Sequence, residues 1–98
     1  MSHYVILVNF TEQGAKSIKD TVKRAEKFKA MAAESGVKVN SLLWTLGQHD
    51  VVAAVEANDD IAATALSLSV ASLGNVRTQT LKAFDAADMA KILGKMVV

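Results

Sequence analysis

A single α+β domain, ordered βαββαβ with a short terminal helix, is what this sequence predicts, and three observations carry the prediction. The chain has 98 residues, enough for one domain and too few for two. Apolar runs of strand length alternate with stretches in which apolar residues recur every three or four positions. Glycine, asparagine or aspartate marks most of the junctions between them.

Tyr4 to Phe10 is apolar almost throughout and partly β-branched, which predicts a strand buried on both faces. Thr11-Glu12-Gln13-Gly14 breaks that pattern and leads into a helix, where Ile18, Val22, Ala25, Phe28 and Ala32 make one apolar face. Gly36 stops it. Val37 to Leu46 forms a second strand whose alternation changes phase near Ser41, so that a β-bulge or burial on both faces is expected there. Gly47-Gln48-His49-Asp50 is a turn that calls for a positive φ at or beside Gly47, and Val51 to Ala57 is a third strand, apolar on both faces.

Asn58 or Asp59 caps a second helix, with Ile61, Ala65, Leu66, Leu68 and Leu73 expected on its buried side. Gly74-Asn75 ends it. Val76 to Phe84 is a fourth, more polar strand, and Asp85 caps a last helix with Met89, Ile92, Leu93 and Met96 as its apolar stripe. Right-handed crossovers in both βα units give a ferredoxin-like, four-stranded antiparallel sheet of order 4-1-3-2. The apolar strands one and three are then central, and the polar strand four lies at an edge. Two helices cover only one face of such a sheet. Strands one and three are apolar on both, so the other face needs a cover: the last helix, or the sheet of a second copy. A homodimer or higher homo-oligomer through the sheet is the expectation.

The bulk numbers exclude several classes of function. With no cysteine, there is no disulfide framework, thiolate metal site or cysteine nucleophile. Eleven basic against ten acidic residues leave a net charge of +1, which supplies no bulk attraction to nucleic acid or membrane. No basic leader precedes an apolar run and no run reaches membrane-spanning length, so a cytoplasmic protein is expected. Base-stacking aromatics are missing from strand three, and the basic residues after Lys16 alternate with Asp20 and Glu26 as on a solvated helix face, so no nucleic-acid partner is expected. The two histidines, His3 and His49, begin antiparallel strands and should lie roughly 20 Å apart at ~3.3 Å per residue. No metal site uses both, and no cofactor is called for.

The chain resembles the GYD-domain family, small proteins of the dimeric α+β barrel class. The matching stretches are Asn9-Phe10-Thr11-Glu12-Gln13-Gly14, Ile18-Lys19-Asp20-Thr21 with Arg24, Trp44-Thr45-Leu46-Gly47 and Leu73-Gly74-Asn75-Val76-Arg77-Thr78. One departure stands out: the signature tyrosine of Gly-Tyr-Asp is His49 here. The resemblance implies the fold and an oligomer, and no settled activity. A weaker resemblance, to the effector-binding domains of leucine-responsive regulators, implies ligand binding alone.

The topology brings the end of strand one, the starts of strands three and four and a helix N-terminus to one rim. Asn9, Thr11, His49, Asp50, Arg77 and Thr78 gather there, and a small anionic or carboxylate-bearing ligand suits them. Each also has a structural use: Thr11 as a helix cap, Asp50 as an acceptor in a tight turn, Arg77 in an ion pair across the oligomer contact. Trp44 and the methionines Met31, Met89 and Met96 read as packing. Three functions follow in order of preference: a non-catalytic oligomeric module that binds or senses a small ligand, a cofactor-independent enzyme like the monooxygenases and isomerases of the barrel class, and a structural assembly subunit. A cavity of about 300 Å³ or more separates the first two from the third.

Overall fold

The computed structural model describes residues 1–98. Its elements are β1 (Ser2–Phe10), α1 (Glu12–Lys16), a 3-10 turn (Ile18–Asp20), α2 (Thr21–Glu34), β2 (Lys38–Trp44), β3 (Val51–Ala57), α3 (Asp60–Ser72), β4 (Val76–Ala83) and α4 (Ala86–Gly94). The sheet order is β2-β3-β1-β4, all antiparallel, which is the expected 4-1-3-2 read from the other edge. The register shift in β2 falls between Val39 and Ser41. The extra residue keeps Val39 and Leu42 on the same, core-facing side despite their odd spacing.

Alternation along β1 and β3 divides the sheet into two unlike faces. Tyr4, Ile6, Ala53, Val55 and Ala57 point toward the helices and are buried with Ala32, Val37, Ala63 and Leu66. Their neighbours Val5, Leu7, Val52 and Ala54 point the other way and are only partly buried. In register with them are Leu81 of β4, opposite Val5, and Leu43 of β2, opposite Val52; both are exposed. No helix lies over this second face as a packed layer, and none of α4 is buried.

The expected helical faces need correction. The first helix is not continuous: it stops after Lys16, turns through Ile18–Asp20 and restarts as α2. That break rotates Ile18 and Val22 off the core, and both are exposed. In α3 the buried residues are Ala63 and Leu66, with Ala62 and Val70 partly buried against the core. Ile61, Leu68 and Leu73 are exposed, as is Ala65. Met89, Ile92 and Leu93 form the stripe of α4 but meet no core, and the helix ends at Gly94, before the expected Met96; all four residues are exposed.

The caps are those the residue types call for. Asp59 accepts from the Ala62 N–H, and Asp85 and Asp88 exchange side-chain bonds with each other's backbone N–H in a capping box. Gly47 has φ +144°, in the region that side chains rarely adopt. Gly14 is needed for a different reason. It is buried where α1 meets the chain entering β4, and a Cβ built there would lie 2.0 Å from the Asn75 carbonyl oxygen. That same oxygen accepts from the Thr11 N–H, so it cannot retreat without losing the bond. Gly14→Ala should therefore lower stability by about 1–3 kcal/mol, the usual cost of overpacking, read from denaturant unfolding; an unchanged midpoint would show that the α1–β4 junction has slack.

Far from this junction, Tyr4 and Lys82 converge on Asp60. The Tyr4 hydroxyl donates to Asp60 Oδ1 at 2.6 Å and Lys82 Nζ lies 2.8 Å from the same oxygen. The Lys82 hydrogen bond, then that of Tyr4, holds the Asp60 carboxyl below its ordinary range. Burial, then the bond to Asp60, raises the tyrosine. A depressed carboxyl contributes stability that is present above the ordinary carboxylate pKa and lost as pH falls through the lowered one. The melting temperature should fall on acidification below about pH 4, and less steeply in Asp60→Asn. Identical pH profiles would mean that solvent screens the exposed pair fully.

Candidate functional site

The rim expected from the sequence exists, but the pleat of the sheet splits it between two faces. Asn9 lies opposite Arg77 and Val8 opposite Thr78. Asn9 and Arg77 accordingly share the open face, while Thr78 turns toward the helices. His49 joins the first group through a 2.9 Å contact between its Nδ1 and Asn9 Oδ1, and Asn9 Nδ2 donates to the Gln48 carbonyl at 2.8 Å. Arg77 is exposed and makes no ion pair or side-chain hydrogen bond.

Thr11 and Asp50 are engaged with backbone. Thr11 Oγ1 donates to the Gly74 carbonyl at 2.6 Å and accepts from the Gly14 N–H at 3.2 Å. One Asp50 carboxylate oxygen accepts from the Phe10 N–H at 2.8 Å, while the Asp50 N–H donates to the Val8 carbonyl. Thr11 is the expected cap of α1 and also holds the chain entering β4, whereas Asp50, expected to accept within its own turn, instead ties the β2–β3 hairpin to the end of β1.

On the helix side, the same end of the sheet opens into a cavity of about 360 Å³ between α2, the end of α3 and the sheet. Of the rim residues only Thr78 lines it. Ile6, Val8, Phe28 and Met31 make its apolar depth, and Trp44 forms a wall, its indole N–H donating to Thr21 Oγ1 at 3.0 Å across the gap from β2 to α2. The expectation of plain packing for Trp44 is thus too narrow: the ring is half exposed and faces a space.

Two cations, Arg24 and Lys27, line the cavity, and no acidic residue or histidine does. Arg24 Nη1 donates to the Ser17 carbonyl at 2.8 Å and to Ser17 Oγ at 3.0 Å, and Nη2 donates to the Gly14 carbonyl at 3.1 Å. It thereby caps the carbonyls freed where α1 breaks. The basic residues of this segment read as a uniformly solvated face; Lys16 and Lys29 fit that, pairing with Glu12 and Glu26, and Arg24 does not. The signal was its spacing: Arg24, Phe28 and Met31 stand four and three apart, on one helical face.

At the opposite end, His3 Nε2 lies 3.3 Å from Asp85 Oδ2, and ligand atoms of His3, Asp85 and Asp88 lie within 4.8 Å of one another. Considering only the histidine pair overlooked this grouping. Both aspartates are occupied in capping α4, which accounts for the cluster without an ion.

Fold and sequence together define an α+β domain of the ferredoxin-like class. The chain matches the GYD domain family over residues 4–93 and belongs to that family. The glutamine synthetase and cystathionine beta-lyase binding protein of Thermus thermophilus is 34% identical over 93 residues, covering 91% of this chain and 95% of that protein. The crystal structure of TTHA0845, also from Thermus thermophilus, is similar with a TM-score of 0.58 and 25% identity, covering 88% of this chain and 96% of that one. A feast-or-famine regulatory protein of M. tuberculosis, complexed with L-methionine, gives a TM-score of 0.67 at 16% identity; the likeness covers 88% of this chain and 52% of that one, and shows the fold. No helix is long and apolar enough to cross a membrane.

The division of labour at the rim is open to a direct test. Asp50→Ala leaves the Phe10 N–H without its partner and should cost about 1–3 kcal/mol. Arg77→Ala, which removes no side-chain hydrogen bond or ion pair within the chain, should stay within about 0.5 kcal/mol. Equal effects in thermal unfolding would show that the rim acts as one network.

Proposed function

We propose that this chain is a non-catalytic, homo-oligomeric module that binds or senses a small ligand. The observation that carries the reading is the cavity of about 360 Å³ in a domain where only 11 of 98 residues are buried. A small domain gains from every apolar side chain it buries. A subunit with a purely structural task would close that space, whereas this one keeps it apolar and open. The same lining argues against the enzyme alternative. A general acid or base must reach the reacting atoms; no carboxylate or imidazole lines the cavity, and the one amine that does, Lys27, is exposed to solvent.

Self-association follows from the other face. Val5, Leu7, Leu43, Val52 and Leu81 form an apolar surface on the sheet, beside an α4 whose stripe also lacks a partner. A second copy laid sheet to sheet covers that surface. In such a pair Asn9, His49 and Arg77 fall at its border, where the free Arg77 finds an acceptor. Support for a second reading comes from the Thermus relative, described as binding two metabolic enzymes. On that reading the open face of this chain docks on an enzyme instead of on itself.

Light scattering on the purified chain at micromolar concentration separates the two. At least a dimer is expected, and Leu7→Asp should shift it to monomer by placing a charge in the contact. A clean monomer from the unaltered chain would overturn self-association and leave the face to a foreign partner. Native mass spectrometry of the freshly purified protein should in addition show a retained small-molecule mass.

A further inference from the structure

The cavity has a chemical character that narrows its ligand. Its walls are apolar, yet two of its lining side chains are cations and none is an anion. Arg24 is half-buried, and every oxygen it meets is neutral: two backbone carbonyls and one hydroxyl. Those three bonds leave part of its five-donor guanidinium unused. A partly desolvated cation without a counter-charge, beside apolar space, favours an anion that brings an apolar body.

Size and polarity exclude other anions. At about 360 Å³ the cavity lies near the lower end of the range for small-molecule sites. A nucleotide or other polyphosphate would set most of its charged oxygens against Val8, Phe28, Met31 and Leu42. An amphipathic cation would leave Arg24 and Lys27 facing a like charge.

We propose that the cavity between α2, α3 and the sheet takes a small monocarboxylic acid with a single apolar body, aromatic ring or short hydrocarbon chain. Arg24 and Lys27 receive the carboxylate, and Trp44 packs against the body. The inference rests on the reading of the chain as a binding module and names the ligand class of its cavity.

Trp44 is the only tryptophan, so its emission reports on this site alone. The test is a fluorescence titration of the full chain with three probes that share one body: 4-phenylbutanoate, 4-phenylbutanol and 4-phenylbutylamine. The carboxylate should shift the emission saturably, the alcohol should bind at least about tenfold more weakly, as loss of a charge-assisted pair implies, and the amine should not bind. Arg24→Gln should bring the carboxylate down to the level of the alcohol, and Ala25→Leu, which fills the cavity without altering charge, should abolish both. Should Arg24→Gln fail to fold, because Arg24 also caps Gly14 and Ser17, the ranking of the three probes on the unaltered chain still decides. Equal binding of all three, or preference for the amine, would overturn the carboxylate assignment while leaving a binding cavity. No response to any probe would overturn the cavity as a ligand site, and with it the small-ligand function.

Discussion

Two helices cannot cover both faces of a four-stranded sheet, and this chain has made both faces of its two central strands apolar. The rest of the structure answers to that mismatch. On the helix side, Tyr4, Ile6, Ala53 and Val55 find α2 and α3. On the other side, Val5, Leu7, Val52 and Ala54 are only partly buried and no helix packs over them as a layer. An open sheet face of a working monomer alternates with polar residues instead, as β4 does with Arg77 and Gln79.

The helix side is itself only partly filled, and the reason is local. α2 restarts after a 3-10 turn, so its first turn is carried by the Arg24 bonds to Ser17 and Gly14 rather than by core contacts. α3 puts small residues, Ala62 and Ala63, against the sheet. Between a helix that starts late and a helix with short side chains, Val70, Leu73 and Phe28 do not close the gap over Val8 and Val51, and the cavity remains. Trp44 and Thr21 bridge its side by a hydrogen bond.

Much of this architecture was legible in the residues. Strand order followed from apolarity and handedness; the change of phase in β2 left a bulge or two-sided burial open, and the register shift between Val39 and Ser41 decides for the former; residue type gave caps at Thr11 and Asp85 and left Asn58 or Asp59 for α3, where Asp59 does the capping. What was not legible had two physical causes. α3 is apolar around most of its circumference, so periodicity could not tell Leu66, which is buried, from Leu68, which is not. The break before α2 changes helical phase, which moved Ile18 and Val22 outward and Arg24 inward. The rim residues stand at one end of the sheet, but on two faces of it. Topology brings Arg77 and Thr78 to the same edge, but adjacent strand residues face opposite sides, and only the register assigns each to its face.

That register also sets what the two surfaces can say to each other. The sheet is one residue thick, and its central strands carry both surfaces at consecutive positions. Val8 and Val51 line the cavity, while Leu7, Asn9 and Val52 stand on the open face. Asp50 joins the two strands here, receiving the Phe10 N–H and donating to the Val8 carbonyl. A ligand in the cavity is therefore separated from the opposite face by a single layer of backbone, at the end of the sheet where His49 and Arg77 lie. Proximity alone does not make a sensor, because a ligand shifts an assembly only by its differential affinity for the two states. The physical requirement is that β1 and β3 take up a different twist or register when the cavity is filled, and the side chains of those strands that line it, Ile6, Val8, Phe10, Val51 and Ala53, are where such a difference would start.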